Sequence, residues 1–125
     1  MEQILYKAEV YQLVGICMEV YNMLGYGFAE IVYKDAMQIE FIERTMNYQR
    51  EKEHCIHYKG QFLSRKFFTD FTINDSIIIE VKANKDGIAD EAISQTLNYL
   101  RASGLRLGLI INFGRTALQY KRLVY

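Results

Sequence analysis

The sequence predicts an α/β protein, a central mixed β-sheet flanked by α-helices. Three observations predict it. Ile77-Ile78-Ile79 and residues 105–111 are short, strongly apolar runs, read as strands covered on both faces. Between them, residues 89–103 repeat apolar side chains at helical period through Ala92, Ile93, Thr96, Leu97 and Leu100. A run of strands followed by a helical crossover to a further strand gives a mixed sheet with helices packed on it.

The elements follow in order. Apolar residues at Leu5, Ala8, Leu13, Cys17, Val20 and Leu24 predict a helix over residues 4–24, which Gly25-Tyr26-Gly27 stops. A second helix over residues 29–45 carries the stripe Val32, Ala36, Ile39 and Ile42. Residues 47–58 read as a strand, 59–61 as a turn, and 62–73, rich in aromatic and β-branched residues, as another strand. Asn74-Asp75-Ser76 is a turn cluster, and residues 77–82 form the next strand. A loop over residues 84–88 leads into the third helix, which Gly104 ends; a turn over 112–116 joins the last two strands, the second over 117–124.

A length of 125 residues predicts one domain, residues 1–125. Formal net charge is zero, so any nucleic-acid surface must be local. Met1-Glu2-Gln3 opens no signal peptide, no apolar run approaches the ~20 residues of a membrane span, and Cys17 and Cys55 form no disulfide framework. A cytoplasmic protein is expected. His54, Cys55 and His57 fit no common zinc spacing.

The chemistry gathers at Asp70 and Glu80-Val81-Lys82. Glu80 and Lys82 stand two apart in an apolar strand and share a face. An acid and a lysine there are costly unless they pair or line a site. Two carboxylates with the Val81 backbone carbonyl between them are hard oxygen ligands of the kind magnesium or manganese takes. A lysine beside them can orient an attacking water and offset charge developing on a phosphate. The plainer reading is a salt bridge of Lys82 to Glu80 or Asp70. Glu30 opens a helix, where a carboxylate suits the dipole, and Tyr33 lies one turn on; Gln95 and Tyr99 share a helical face. Arg44, Arg50, Lys52, Arg65, Lys66, Arg101, Arg106 and Arg115 could contact phosphate, but only clustering would lift them above solvated surface.

Strand geometry adds a condition. A two-residue turn would pair Asp70 with Ile79 and send Asp70 and Glu80 to opposite faces. A three-residue connection, Asn74-Asp75-Ser76, pairs Ile73 with Ile77 and sets Asp70 across from Glu80; a bulge would restore the same parity. An odd turn, built on a type I turn with a left-handed residue, or a bulge is therefore expected.

Asp70, then Glu-x-Lys across a hairpin, then a helix and an apolar strand, resembles the PD-(D/E)xK nuclease superfamily, with its restriction-endonuclease-like fold. Thr69 stands where that pattern has proline. Gly27-Phe28-Ala29-Glu30-Ile31-Val32-Tyr33 is similar to the G-x-x-E-x-x-Y signature of a small bacterial and archaeal family placed in the same superfamily, as are the strand at Glu80, residues 95–100 and residues 104–114. The resemblance implies a metal-dependent nuclease hydrolysing phosphodiesters of DNA, with RNA as the second alternative. It places magnesium or manganese on Asp70, Glu80, the Val81 carbonyl and Glu30, with Lys82 catalytic. Gln95 and Tyr99 match a Q-x-x-x-Y pair that in helicase-associated exonucleases supports the site and contacts nucleic acid, and Tyr33 would assist. The alternative is a nuclease-like module that binds nucleic acid or protein without cutting. A homodimer or a protein partner stays open.

Overall fold

The computed structural model describes residues 4–125; Met1, Glu2 and Gln3, which the one-domain reading includes, lie outside the described residues. The chain runs α1 (Lys7–Leu24), α2 (Glu30–Glu43), β1 (Tyr48–Tyr58), β2 (Gln61–Ile73), β3 (Ile77–Lys82), α3 (Asp90–Ser103), β4 (Leu107–Asn112) and β5 (Gln119–Val124). The five strands form one mixed sheet in chain order. β3 and β4 are parallel, joined by α3; every other neighbouring pair is antiparallel. The helix, helix, three strands, helix, two strands expected from the sequence is the order found.

Alternation along the strands divides the core. Phe71, Ile73, Ile77, Ile79, Val81, Leu107, Leu109 and Ile111 join the apolar sides of α1 and α2. Ile78, Ile110 and Leu123 face Ala92 and Leu100 of α3. α3 approaches β4 closely because Gly108 has no side chain: a Cβ there would stand 2.7 Å from Thr96 Cγ2.

Three local expectations need correction. α1 starts at Lys7, not residue 4, because Tyr6 takes a left-handed conformation with φ 53°. α2 buries Tyr33, Lys34, Met37 and Phe41, whereas Ile39 and Ile42 of the expected stripe are more than half exposed. The Tyr33 hydroxyl explains part of this. It donates to the Gly25 carbonyl at 2.7 Å and accepts from Phe28 N–H at 3.2 Å, so its polar end is satisfied inside. Finally, Asn112 ends β4 and is fully buried instead of opening a loop.

The β2–β3 register meets the parity condition as far as the ladder runs, but Asp70 and Glu80 themselves are not paired. Ile73 pairs with Ile77, Thr72 with Ile78 and Phe71 with Ile79. The connection differs in detail: Asn74 and Asp75 both have positive φ, 53° and 49°, and Ser76 N–H closes onto the Ile73 carbonyl at 2.9 Å. Two left-handed residues in succession are a type I′ feature, which Asn and Asp tolerate.

Candidate functional site

The β2–β3 ladder stops at Phe71↔Ile79, and carboxylates take over where backbone pairing ends. Asp70 N–H donates to Glu80 Oε2 at 2.8 Å. Val81 N–H donates to Asp70 Oδ2 at 2.7 Å. Each acid is thus locked by the other's strand. The N–H and C=O of one strand residue point to the same side, so the Val81 carbonyl also faces the gap holding Asp70.

β2 changes faces at this point. Phe67 stacks on Tyr99 of α3 with centroids 4.4 Å apart, and Thr69 Oγ1 lies 3.0 Å from Thr72 Oγ1. Phe71 belongs to the α1–α2 core, although a regular strand would put Thr69 and Phe71 on one side. The reversal falls at Asp70. Directly across on β1, Glu51 takes φ 56° while the register on either side, Arg50↔Phe71 and Lys52↔Thr69, stays unshifted. Asp70 therefore sits in line with the sheet and not on a face, and it reaches both Val81 and α2.

From α2 comes a residue the sequence reading missed. Lys34, almost wholly buried, donates from Nζ to Asp70 Oδ1 at 3.0 Å and also pairs with Glu51. Burial works against its charge, but the Glu51 and Asp70 carboxylates outweigh it and hold the ammonium above its usual range. The available signal was Tyr33, Met37 and Phe41 at four-residue spacing: taking that stripe as the core face sets Lys34 on its flank.

Glu80 is 4% exposed. Burial first, and then the neighbouring Asp70 charge, push its carboxyl up to about 8; the Asp70 N–H, Lys82 and Lys34 act in the opposite direction. Burial and then the Glu80 and Asp70 charges raise Tyr99, against the pull of Gln95 beside its hydroxyl.

The expected convergence is met in part. Glu30, Ile31, Lys34, Asp70, Val81 and Lys82 line one cavity of about 270 Å³. Glu30 is exposed at the start of α2 yet borders that cavity. Glu80 does not line it and reaches the site only through the Asp70 N–H. Gln95 lines an adjoining cavity that shares only Lys82 and no acid of the first, and Tyr99 borders a third. Gln95 and Tyr99 thus flank the site instead of lining the same pocket. Tyr33 is fully buried, stacked on Phe113 at 4.3 Å; it clamps the Gly25–Phe28 turn and cannot touch nucleic acid. Of the basic residues, Arg44, Arg50 and Lys52 are engaged by Glu19 and Glu40, Asp35, and Asp75. They do not cluster at the acids.

Lys82 is held from behind. Its carbonyl accepts from Phe113 N–H at 2.8 Å. Asn112 Oδ1 accepts from Asn84 N–H at 2.8 Å and Gly114 N–H at 3.1 Å, and Nδ2 donates to the Asn84 carbonyl at 2.9 Å. Gly114 permits this approach, since a Cβ there would lie 2.4 Å from the Asn84 nitrogen.

Among the described residues no group of three His, Cys, Asp or Glu forms a ready metal cage. Two carboxylates and a carbonyl still suit magnesium or manganese, which retain waters and take substrate oxygens. The Lys34 ammonium on Asp70 Oδ1 shows that this position already attracts a cation.

The profile of the PD-(D/E)XK nuclease superfamily matches residues 7–123. Among curated proteins none matches the chain significantly. Two crystal structures share the fold. SSO0001 superposes with a TM-score of 0.58 at 18% identity, over 95% of this chain and 60% of its own. The alkaline exonuclease LHK-Exo from Laribacter hongkongensis gives 0.55 at 12% identity, over 99% and 72%. The chain spans only about 60% of the length of SSO0001. Among the described residues no helix is long and apolar enough to cross a membrane.

Proposed function

The chain belongs to the PD-(D/E)XK nuclease superfamily, and from that premise we propose that it is a divalent-metal-dependent nuclease hydrolysing phosphodiester bonds of DNA, with RNA as the alternative substrate. One observation carries the reading. Asp70 and Glu80 are each fixed by a backbone N–H of the other's strand, and Asp70 lines an open cavity that also presents Lys82. A resting salt bridge would need none of that mutual locking.

Members of the superfamily typically use divalent metals, and here Asp70, Glu80 and the Val81 carbonyl would hold magnesium or manganese, with Glu30 at the rim. Bound there, the ion would supply Lewis-acid stabilisation of charge on the phosphate. The chain's own groups do the rest. Lys82 orients the attacking water and offsets charge on the phosphate oxygens. Lys34 fixes Asp70 through Oδ1, leaving Oδ2 on the Val81 amide. Tyr99 and Gln95 border the approach from α3. The Gly27–Tyr33 signature supports placement in the G-x-x-E-x-x-Y family within the superfamily. The same reading makes residues 1–125 one nuclease-like domain acting in the cytoplasm, a setting that suits the free thiols Cys17 and Cys55.

The Lys34–Asp70 ion pair favours a second reading, a module that binds nucleic acid without cutting, because the ammonium occupies a carboxylate the metal needs. Incubation with single- and double-stranded DNA and with RNA, in magnesium and then manganese, separates the two. The nuclease reading expects metal-dependent cleavage lost in Lys82→Ala. Binding without cleavage under every metal condition selects the module.

A further inference from the structure

The β1–β2 hairpin outruns the sheet. β3 pairs only with Phe71–Ile73, so the far part of β2 has no third strand beside it, and residues 61–66 are exposed. The composition of this arm is one-sided. Residues 54–69 contain Lys59, Arg65 and Lys66 and no acid, in a chain of zero formal charge. Lys66 lies 3.5 Å from Glu53 at the arm's base, and among the described residues Lys59 and Arg65 make no ion pair. Tyr58 is 62%, Phe62 69% and Phe68 51% exposed. These rings are organised: His57 packs on Phe62 at 4.2 Å, and Lys59 Nζ sits 5.5 Å over the Tyr58 ring.

The arm is anchored toward the site. His54, Phe67 and Tyr99 form a continuous parallel stack with centroid spacings of 4.7 and 4.4 Å, tying the hairpin to α3. Asp70 lies on the same strand, eight residues from Phe62, roughly 26 Å at the rise of a β-strand. A ligand along the arm would lead to the cavity of Asp70 and Lys82.

We propose that this arm is the docking surface for a single-stranded nucleic acid, with bases stacked on Phe62 and Phe68, which their pairing to His57 and Glu53 sets on one face with Lys66, and phosphates on Lys59, Arg65 and Lys66. Solvent-facing rings beside three cations, of which only Lys66 is in an ion pair among the described residues, match the two needs of a single strand, whose bases have free faces and whose backbone is anionic. A duplex hides its base faces and leaves the rings unused. A protein interface of this area would be poor in lysine. The inference rests on the nuclease reading for its direction toward Asp70, and on the arm itself for the ligand class.

Fluorescence anisotropy of labelled 20-nucleotide single strands and the matching duplex, in EDTA with the full chain, tests it. The wild type should bind the single strand more tightly than the duplex. Phe62→Ala with Phe68→Ala should weaken single-strand binding by about tenfold or more. A triple Lys59→Gln, Arg65→Gln, Lys66→Gln variant should reduce the salt slope by about 2. Both variants should keep the wild-type melting temperature and the wild-type rate on a small phosphodiester, bis(p-nitrophenyl) phosphate, with manganese. Absent single-strand binding, or binding unchanged in both variants, overturns the arm. So does loss of self-association, by sedimentation, as the only consequence of the substitutions. A wild type that binds through the arm but cleaves neither small diester nor DNA sinks the nuclease reading and leaves the arm standing.

Discussion

Glu80→Gln should remove most of the pH dependence of stability of the metal-free protein. In the folded chain burial and the Asp70 charge raise the Glu80 carboxyl from 4.5 to about 8. Between those values the folded state holds a proton that the unfolded state has released, so stability falls as pH rises. The contribution is complete below about pH 4.5 and gone above about pH 8. A span of that width corresponds to on the order of 5 kcal/mol, an upper figure because coupling to Asp70, Lys34 and Lys82 spreads it. For a chain of this size, that is a fall in Tm of up to roughly 20 °C. His54 works in the other direction. Burial, and then the Lys52 charge, hold its imidazole below the usual range, so its contribution grows as pH rises. Comparison with Glu80→Gln cancels that term, since the amide keeps the Asp70 N–H bond through its carbonyl and cannot ionise.

Thermal unfolding in EDTA from pH 5 to pH 8.5, followed by circular dichroism, makes the measurement. The wild type should lose stability across the range, and Glu80→Gln should not lose it and should be the more stable of the two at pH 8.5. Manganese should raise the wild-type Tm most at high pH, because a cation favours the ionised carboxylate. A level wild-type profile, or an identical slope in Glu80→Gln, would refute the reasoning.

Three further outcomes are expected. Lys34→Met should tighten manganese binding measured by calorimetry by about tenfold, the factor for 1.4 kcal/mol of relieved competition, while lowering metal-free stability; unchanged affinity would show that Lys34 does not compete for Asp70. Glu51→Gly should be more stable than Glu51→Ala by about 1 kcal/mol in denaturant titration, because glycine alone takes a positive φ freely, and the reverse order would contradict the left-handed conformation. Gly114→Ala should destabilise by at least about 2 kcal/mol and reduce phosphodiester cleavage, since its Cβ would strike the Asn84 backbone behind Lys82; a neutral result would mean that the β3 and β4 ends can part without disturbing the site.

The sequence disclosed what depends on period and parity. Apolar runs at Ile77-Ile78-Ile79 and Leu107–Ile111 located the sheet's centre, helical period between them located α3, and turn parity fixed Ile73 opposite Ile77. What stayed hidden depends on partners distant in the chain. Lys34 looks like a solvent residue until Glu51 and Asp70, 17 and 36 positions on, supply its charges. Tyr33 looks like a site tyrosine until Gly25 and Phe113 take its hydroxyl and its ring. The left-handed Glu51 carries no glycine to announce it.

That same residue accounts for how a buried sheet can present acids. Regular alternation offers a side chain only the two faces of the sheet, and here both are covered, one by α1 and α2, the other by α3. An acid on either face would be buried without water, as Glu80 nearly is. Reversing β2 at Asp70, opposite Glu51, opens a third direction in line with the sheet. Asp70 then replaces lost ladder bonds with Val81 N–H and Lys34, so the interruption leaves few polar groups unpaired. A non-glycine residue held at positive φ costs on the order of 1–3 kcal/mol, and the ion pair to Lys34 helps retain it. The strain, the counter-cation and the partly buried acid at the cavity are parts of one arrangement, and losing Glu51 should disturb all three together.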